Sequence, residues 1–153
     1  MSGASDRHIK IALNAAFQLR AATRGSSCGV YVSDMKLKIG PQNSFYYPDV
    51  MLVCENDDEH PHYKTAPCVV VEVLSPSTAV IDRREKLMAY RKLPSLTAYL
   101  LVESDRRHVE YFLRGDDGTW RSGTPGENDM LNLDCAGHPI SLCLDDLYEY
   151  LAL

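Results

Sequence analysis

The chain has 153 residues, enough for one domain with a core of its own. Apolar residues make up 45% and charged residues 24%, ordinary values for a globular protein, and no apolar run approaches a membrane span. A formal net charge of -5 argues against general coating of nucleic acid but leaves room for a local basic patch. The opening "MSGASDRHIK" contains no apolar signal region, so a cytoplasmic location is expected. No repeat, low-complexity linker or composition break divides the sequence, and a single domain over 1–153 is predicted.

In chain order, Ser5 to Arg24 reads as a helix. Ser5 can cap it, Gly25 can end it, and Ile9, Leu13, Ala16 and Phe17 mark a helical face. "CGVYVSDMKLKI" alternates as one strand, with Tyr31, Ser33, Met35, Leu37 and Ile39 on the same side. "GPQNS" reads as a turn. "YPDVMLVC" is a second strand, and a polar loop from Glu55 to Ala66 leads to a third, "CVVVEVL".

"SPST" breaks this strand, and Ser77 or Thr78 can cap a helix that runs to about Lys92 and stops before Pro94. Val80, Ile81, Leu87 and Met88 are expected to pack that helix on the sheet. "LTAYLLVES" and "RHVEYFLR" are two further strands. "GDDGTWRSG" is a turn with a short edge strand, and the tail adds one or two strands and a last helix, "LDDLYEYLAL". The order predicts an α/β (α+β) domain with a mixed central sheet flanked by helices. The unbroken apolar run around Glu72 marks its strand as central and covered on both faces.

The five cysteines are odd in number and lack a C-x-x-C pair, so reduced core thiols are expected. Cys135, His138 and Cys143 offer only three zinc ligands at no standard spacing. His60 and His62 follow the acidic "ENDDE" and read as part of a solvated loop.

Chemistry concentrates on two acids. A lone carboxylate inside an apolar strand is costly, so Glu72 must be paired, protonated or bound to a cation. Asp49 follows Pro48 at the start of a neighbouring strand. If the two strands pair, both carboxylates can meet at one end of the sheet, where they repel. A divalent cation such as Mg2+ or Mn2+ relieves that repulsion and takes water and phosphate as its remaining ligands. The bland alternatives are a turn-forming acid for Asp49 and a buried salt bridge, for instance to an arginine, for Glu72.

The helix "STAVIDRREKLMAYRK" supplies cations. Asp82, Lys86 and Tyr90 fall on one stripe at i, i+4 and i+8. On that stripe Lys86 can face the cleft beside Glu72, or form a solvent-exposed pair with Asp82 worth a few tenths of a kcal/mol. Arg83, Arg84, Arg91 and Lys92 bring the stretch from Asp82 to Lys92 to five bases against two acids. They form the best local candidate for a phosphate-backbone surface. His8 can approach the cleft from the first helix, although a structural or surface role also fits it. No G-x-S-x-G, P-loop or dinucleotide fingerprint is present.

These residues carry a family resemblance. "YYPDV…VVVEVLSPST…D…K…Y…PSL…YLLV…RHVEYF" resembles the Uma-two-type restriction endonucleases of the PD-(D/E)XK nuclease superfamily, over almost the whole chain. The resemblance implies a restriction-endonuclease-like fold and a Mg2+- or Mn2+-dependent endonuclease acting on DNA. It implies metal-binding roles for Asp49 and Glu72 and a catalytic role for Lys86, with Asp82, Tyr90 and His8 in support. Two residues after Glu72 stands Leu74, where the simple superfamily motif has lysine. The family lysine matches Lys86 on the helix instead. Cleavage of both strands would suit a homodimer. The second reading is a catalytically inactive interaction or scaffold protein that keeps the nuclease fold.

Overall fold

The computed structural model describes residues 4–41, 44–76 and 80–153, with backbone alone for residues 80–82. Helix α1 (Asp6–Ala22) starts where the sequence predicts. The Ser5 hydroxyl accepts the N–H of His8 at 3.2 Å, and Asp6 sits in the first turn against the positive end of the helix dipole. Gly25, at φ +82°, turns the chain away after the Thr23 cap.

Strands β1 (Gly29–Val32), β2 (Lys36–Ile39), β3 (Ser44–Tyr46), β4 (Val50–Val53), β5 (Tyr63–Lys64) and β6 (Pro67–Leu74) follow. Helix α2 (Val80–Arg91) then leads to β7 (Ala98–Glu103), β8 (Val109–Arg114) and β9 (Trp120–Gly123). The tail holds β10 (Leu131–Cys135), β11 (His138–Leu142) and the single turn α3 (Leu144–Leu147).

The main sheet has the order β1-β4-β6-β7-β8-β9, with a parallel β6–β7 pair in the middle and antiparallel pairs around it. The expected mixed sheet is therefore present. All eight residues of β6 are buried, as a strand covered on both faces requires. Parallel neighbours need a crossover, and α2 provides it.

Two cores result. Val69, Val71 and Val73 of β6 join Ile11, Ala15 and Leu19 of α1, with β10, β11 and α3 closing that side. Asn14 of α1 donates its amide to the carbonyls of Leu147 and Glu149, fixing the tail to the first helix. On the other face Val70 and Leu74 join Tyr90, Leu93 and Leu96, under the small β3-β2-β5 sheet.

Several expectations are corrected. Helix α1 buries Ile11, Ala15 and Leu19, whereas Ile9, Leu13 and Phe17 are 50%, 60% and 66% exposed. Alanine at the contact lets the helix approach the sheet closely, and the bulkier stripe is left outside. The single strand predicted over 28–39 is two, because the chain turns at Ser33 (φ +25°) and Met35 donates back to Val32. Met88 is 66% exposed and does not pack on the sheet, although Leu87 does. The polar loop contains β5, and the last helix is confined to Leu144–Leu147. The proposed caps Ser77 and Thr78 lie outside the described residues, as do the side chains of Val80, Ile81 and Asp82.

The cysteine expectation also fails. Disulfides join Cys28 to Cys54 and Cys68 to Cys135, and Cys143 keeps its thiol. The first pair extends the ladder that matches Gly29 with Val53. The second joins central strand β6 to β10. With Cys135 bonded to Cys68, the zinc grouping with His138 and Cys143 is excluded.

Candidate active site

Asp49 is fixed before its side chain is considered. Pro48 locks its own φ and drives Tyr47 to an extended conformation. The Asp49 carbonyl accepts the N–H of Ser33 at 3.1 Å, one step beyond the β1–β4 ladder. The β4–β6 register pairs Val50 with Val71, so one further step sets Asp49 across from Glu72. The two acids thus stand on adjacent antiparallel segments.

Asp49 Oδ2 accepts the backbone N–H of Val73 at 2.7 Å. Its Oδ1 lies 2.9 Å from His8 Nε2. A carboxylate only accepts, so this ring nitrogen carries the proton. The Ser5 cap puts His8 in the first turn of α1, and the packing of α1 on the sheet brings it to Asp49. Both side chains keep some exposure, 24% for His8 and 19% for Asp49.

Glu72 is 6% exposed and meets the other helix. Tyr90 donates its hydroxyl to Oε1 at 2.9 Å, and Lys86 Nζ lies 3.8 Å from Oε2. Lys86 and Tyr90, polar positions in the sequence, are thus turned by α2 toward the sheet. Tyr90 is fully buried and packs edge-on against Tyr46 and Tyr99, at 5.6 and 5.0 Å between ring centres. Burial, followed by the charge of Glu72, pushes the Tyr90 phenol far above the ordinary tyrosine range. It is therefore a neutral donor at any working pH.

The structure brings His8 to Asp49, and Lys86 and Tyr90 to Glu72. Asp49 is held from the α1 layer and Glu72 from the α2 layer, with the Val73 N–H between them. The Asp82 side chain lies outside the described residues. Among the basic residues of α2 and the turn after it, Arg84, Arg91 and Lys92 are exposed. Arg91 nevertheless lies over the Phe112 ring at 5.7 Å, and Arg83 sits near enough to Glu103 to help lower that carboxyl below its usual range, after the larger effect of Arg106. Arg84 and Lys92 are thus the more open of the four.

Sequence reasoning brought His8 toward the cleft but did not name Asp49 as its partner, and it missed the use of the Val73 N–H. The Ser5 cap was the available signal for the first. The second depends on strand register, which the sequence does not display.

Among the described residues no three His, Cys, Asp or Glu side chains gather into a closed metal cage. Two carboxylates on adjacent segments do match what Mg2+ takes from a protein. That ion keeps several waters and is held through one or two carboxylates plus phosphate oxygens. The donor set fits an open, substrate-completed ion and not a structural one.

Comparison with known proteins bears on the family and the fold. The Uma2 family, described as "Putative restriction endonuclease", matches residues 1–142. Uncharacterized protein slr1290 of Synechocystis is 34% identical over 99% of this chain and 80% of its own length. A second Synechocystis relative, uncharacterized protein sll1609, is 33% identical over 78% of this chain and 70% of its own. A crystal structure from Anabaena variabilis, titled as a "putative nuclease belonging to DUF820", superposes with a TM-score of 0.75. It covers 95% of this chain and 82% of that one, and at 13% identity it shows a shared fold. By the extent of the family match and the identity of its relatives, this chain belongs to the Uma2 family of restriction-endonuclease-like proteins.

Proposed function

We propose that this protein is a metal-dependent endonuclease that hydrolyses phosphodiester bonds in DNA. The observation that carries the reading is the buried Glu72, opposite Asp49 in the strand register, with Lys86 Nζ 3.8 Å from its carboxylate. A scaffold gains little from a charge buried in its central strand.

In this reading Asp49 and Glu72 would hold Mg2+ or Mn2+. Such an ion, when bound, supplies Lewis-acid stabilisation of phosphate charge and lowers the pKa of water. His8 fixes the orientation of Asp49 through Oδ1, and the Val73 N–H does so through Oδ2. Tyr90 holds Glu72 in one rotamer and keeps water from its inner oxygen. Lys86, partly exposed, orients the attacking water or stabilises charge that develops on the phosphoryl oxygens. The water oxygen bonds to phosphorus, the bond to the leaving oxygen breaks, and the proton lost by the water balances the charge on that leaving group. Arg84 and Lys92 are the open cations for backbone phosphates, with Arg83 and Arg91 beside them.

A second reading, a catalytically inactive scaffold, is favoured by one observation. Each oxygen of both acids already has a protein partner within 3.8 Å. Calorimetric titration with Mg2+ or Mn2+, run beside nicking of supercoiled plasmid, separates the two. The nuclease reading expects binding and cleavage. Metal binding with no cleavage of any nucleic acid supports the scaffold, and absence of metal binding removes the site assignment.

A further inference from the structure

Helix α1 carries an apolar stripe that the fold leaves uncovered. Ile9, Leu13 and Phe17 lie at i, i+4 and i+8 and are half exposed or more. They stand opposite the stripe that faces the core, Ile11, Ala15 and Leu19. Three large apolar side chains in line on one surface helix are the mark of a contact surface and not of scattered exposure.

The stripe is also symmetric about Leu13. Ile9 and Phe17 stand four residues to either side, and Asp6 and Arg20 stand seven to either side. Residues seven apart lie almost above one another on a helix, drifting by only about 20°. Asp6, Leu13 and Arg20 therefore share a line, and both charged residues are exposed.

This symmetry determines what fits. Lay a second α1 antiparallel on the first, with Leu13 against Leu13. Ile9 of each copy then meets Phe17 of the other, and Asp6 meets Arg20, twice. A parallel arrangement would instead put Asp6 against Asp6 and Arg20 against Arg20. The antiparallel one pairs opposite charges at both ends and apolar groups throughout. A two-fold axis perpendicular to the helices through Leu13 gives this arrangement, in which residue i meets j and j meets i. A groove of about 490 Å³ beside the C-terminal half of α1, lined by Phe17, Arg20, Arg24 and Val30, extends the surface where the other copy's first turn would lie.

We propose that a second copy of this chain docks on the Ile9–Leu13–Phe17 stripe, α1 antiparallel to α1, forming a two-fold dimer locked by Asp6–Arg20 pairs. The proposed contact uses none of His8, Asp49, Glu72 and Lys86 and is independent of the nuclease reading.

The test is sedimentation equilibrium on the wild type and four variants, with circular dichroism to verify folding. The wild type is expected to be a dimer. Leu13→Glu is expected to be a folded monomer, because position 13 is outside the core. Asp6→Arg alone sets arginine against Arg20, and Arg20→Asp alone sets aspartate against Asp6. Each is expected to weaken the dimer by roughly tenfold or more. Mixing these two variants in equal amounts is expected to restore a dimer, since one chain then carries both cations and the other both anions. The double variant Asp6→Arg/Arg20→Asp is expected to restore it as well. A monomeric wild type, a Leu13→Glu dimer of wild-type strength, or a mixture that stays dissociated would each overturn the proposal.

Discussion

Asp49 accepts the backbone N–H of Val73, the residue that follows Glu72 in the buried strand β6. One hydrogen bond of 2.7 Å thus ties the "PD" turn to the strand that carries the second acid. The Asp49 carboxylate makes this bond, so truncation at 49 removes the tie together with the charge, while the β4–β6 ladder still pairs the two segments. That ladder makes the site testable by truncation.

Asp49→Ala and Glu72→Ala are expected to lose Mg2+ or Mn2+ affinity by more than the roughly 10–100-fold that removal of an outer partner costs. Plasmid nicking is expected to fall to background in both. Lys86→Ala is expected to retain metal affinity and lose roughly 10²–10³-fold in cleavage rate, the scale of one electrostatic contact to a transition state. Calorimetry and nicking on all four proteins check this. Normal metal binding in Glu72→Ala would sink the assignment.

His8→Ala is expected to weaken metal binding by roughly 10–100-fold, as an outer partner that orients Asp49. His8→Gln, which keeps a donor near the same place, is expected to recover part of that loss. If His8 serves only to hold α1 on the sheet, its loss will lower Tm and leave metal affinity unchanged.

Tyr90→Phe removes the hydroxyl that donates to Glu72 Oε1 inside a wall of tyrosines. Loss of a hydrogen bond to a charged acceptor costs about 1.5–3 kcal/mol. Urea unfolding is expected to show that destabilisation with an unchanged m-value. A neutral effect would mean that Glu72 is not held in this way.

The legible parts of this molecule were those governed by local chemistry. An apolar run broken only by one acid identified β6 as the central strand. Ser5 marked the start of α1, and the i, i+4 spacing of Lys86 and Tyr90 put both on one side of α2. Competing patterns were harder to read. Helix α1 has two apolar stripes, and only the sheet decides which is covered: alanine at positions 12, 15 and 16 permits close approach there, whatever the bulk of Ile9 and Phe17. The turn at Ser33 interrupts an alternation that would otherwise continue. Disulfide partners 26 and 67 residues apart are a property of strand order and register, and no spacing rule supplies them.

Those disulfides carry their own expectation. Cys68 and Cys135 close a loop of 67 residues, and Cys28 and Cys54 one of 26. A cross-link of this kind contributes about 2–4 kcal/mol, chiefly by restricting the unfolded chain. Thiol titration of the denatured, non-reduced protein is expected to find Cys143 alone reactive. Reduction is expected to lower Tm, and Cys68→Ser/Cys135→Ser to reproduce most of that fall. Five reactive thiols without reductant would remove both cross-links.

The last expectation concerns alkaline stability and a residue outside the candidate site. Tyr148 is 1% exposed and sits at the C-terminal cap of α3. Its hydroxyl donates to the carbonyl of Glu103 at 2.6 Å, with the carbonyl of His108 sharing that one proton at 2.9 Å, and accepts the N–H of His108 at 3.1 Å. It joins the tail to the β7–β8 connection. Burial is the main cause that pushes its phenol up from 10.0 to about 12. A group whose pKa is raised by folding contributes its full stability below the unfolded value and loses it as pH rises through the folded one. The Tyr148 contribution should therefore be complete at neutral pH, begin to fall near pH 10 and be gone above about pH 12. Tyr148→Phe should lower stability by about 1–3 kcal/mol at pH 8, by leaving backbone groups without their partner. It should also flatten the decline of ΔG above pH 10 relative to the wild type. Urea unfolding of both proteins at pH 8, 9, 10 and 11 measures this directly. Parallel curves across that range would show that Tyr148 titrates alike in the folded and unfolded chain, and that the buried hydroxyl does not link the tail to the sheet as its hydrogen bonds indicate.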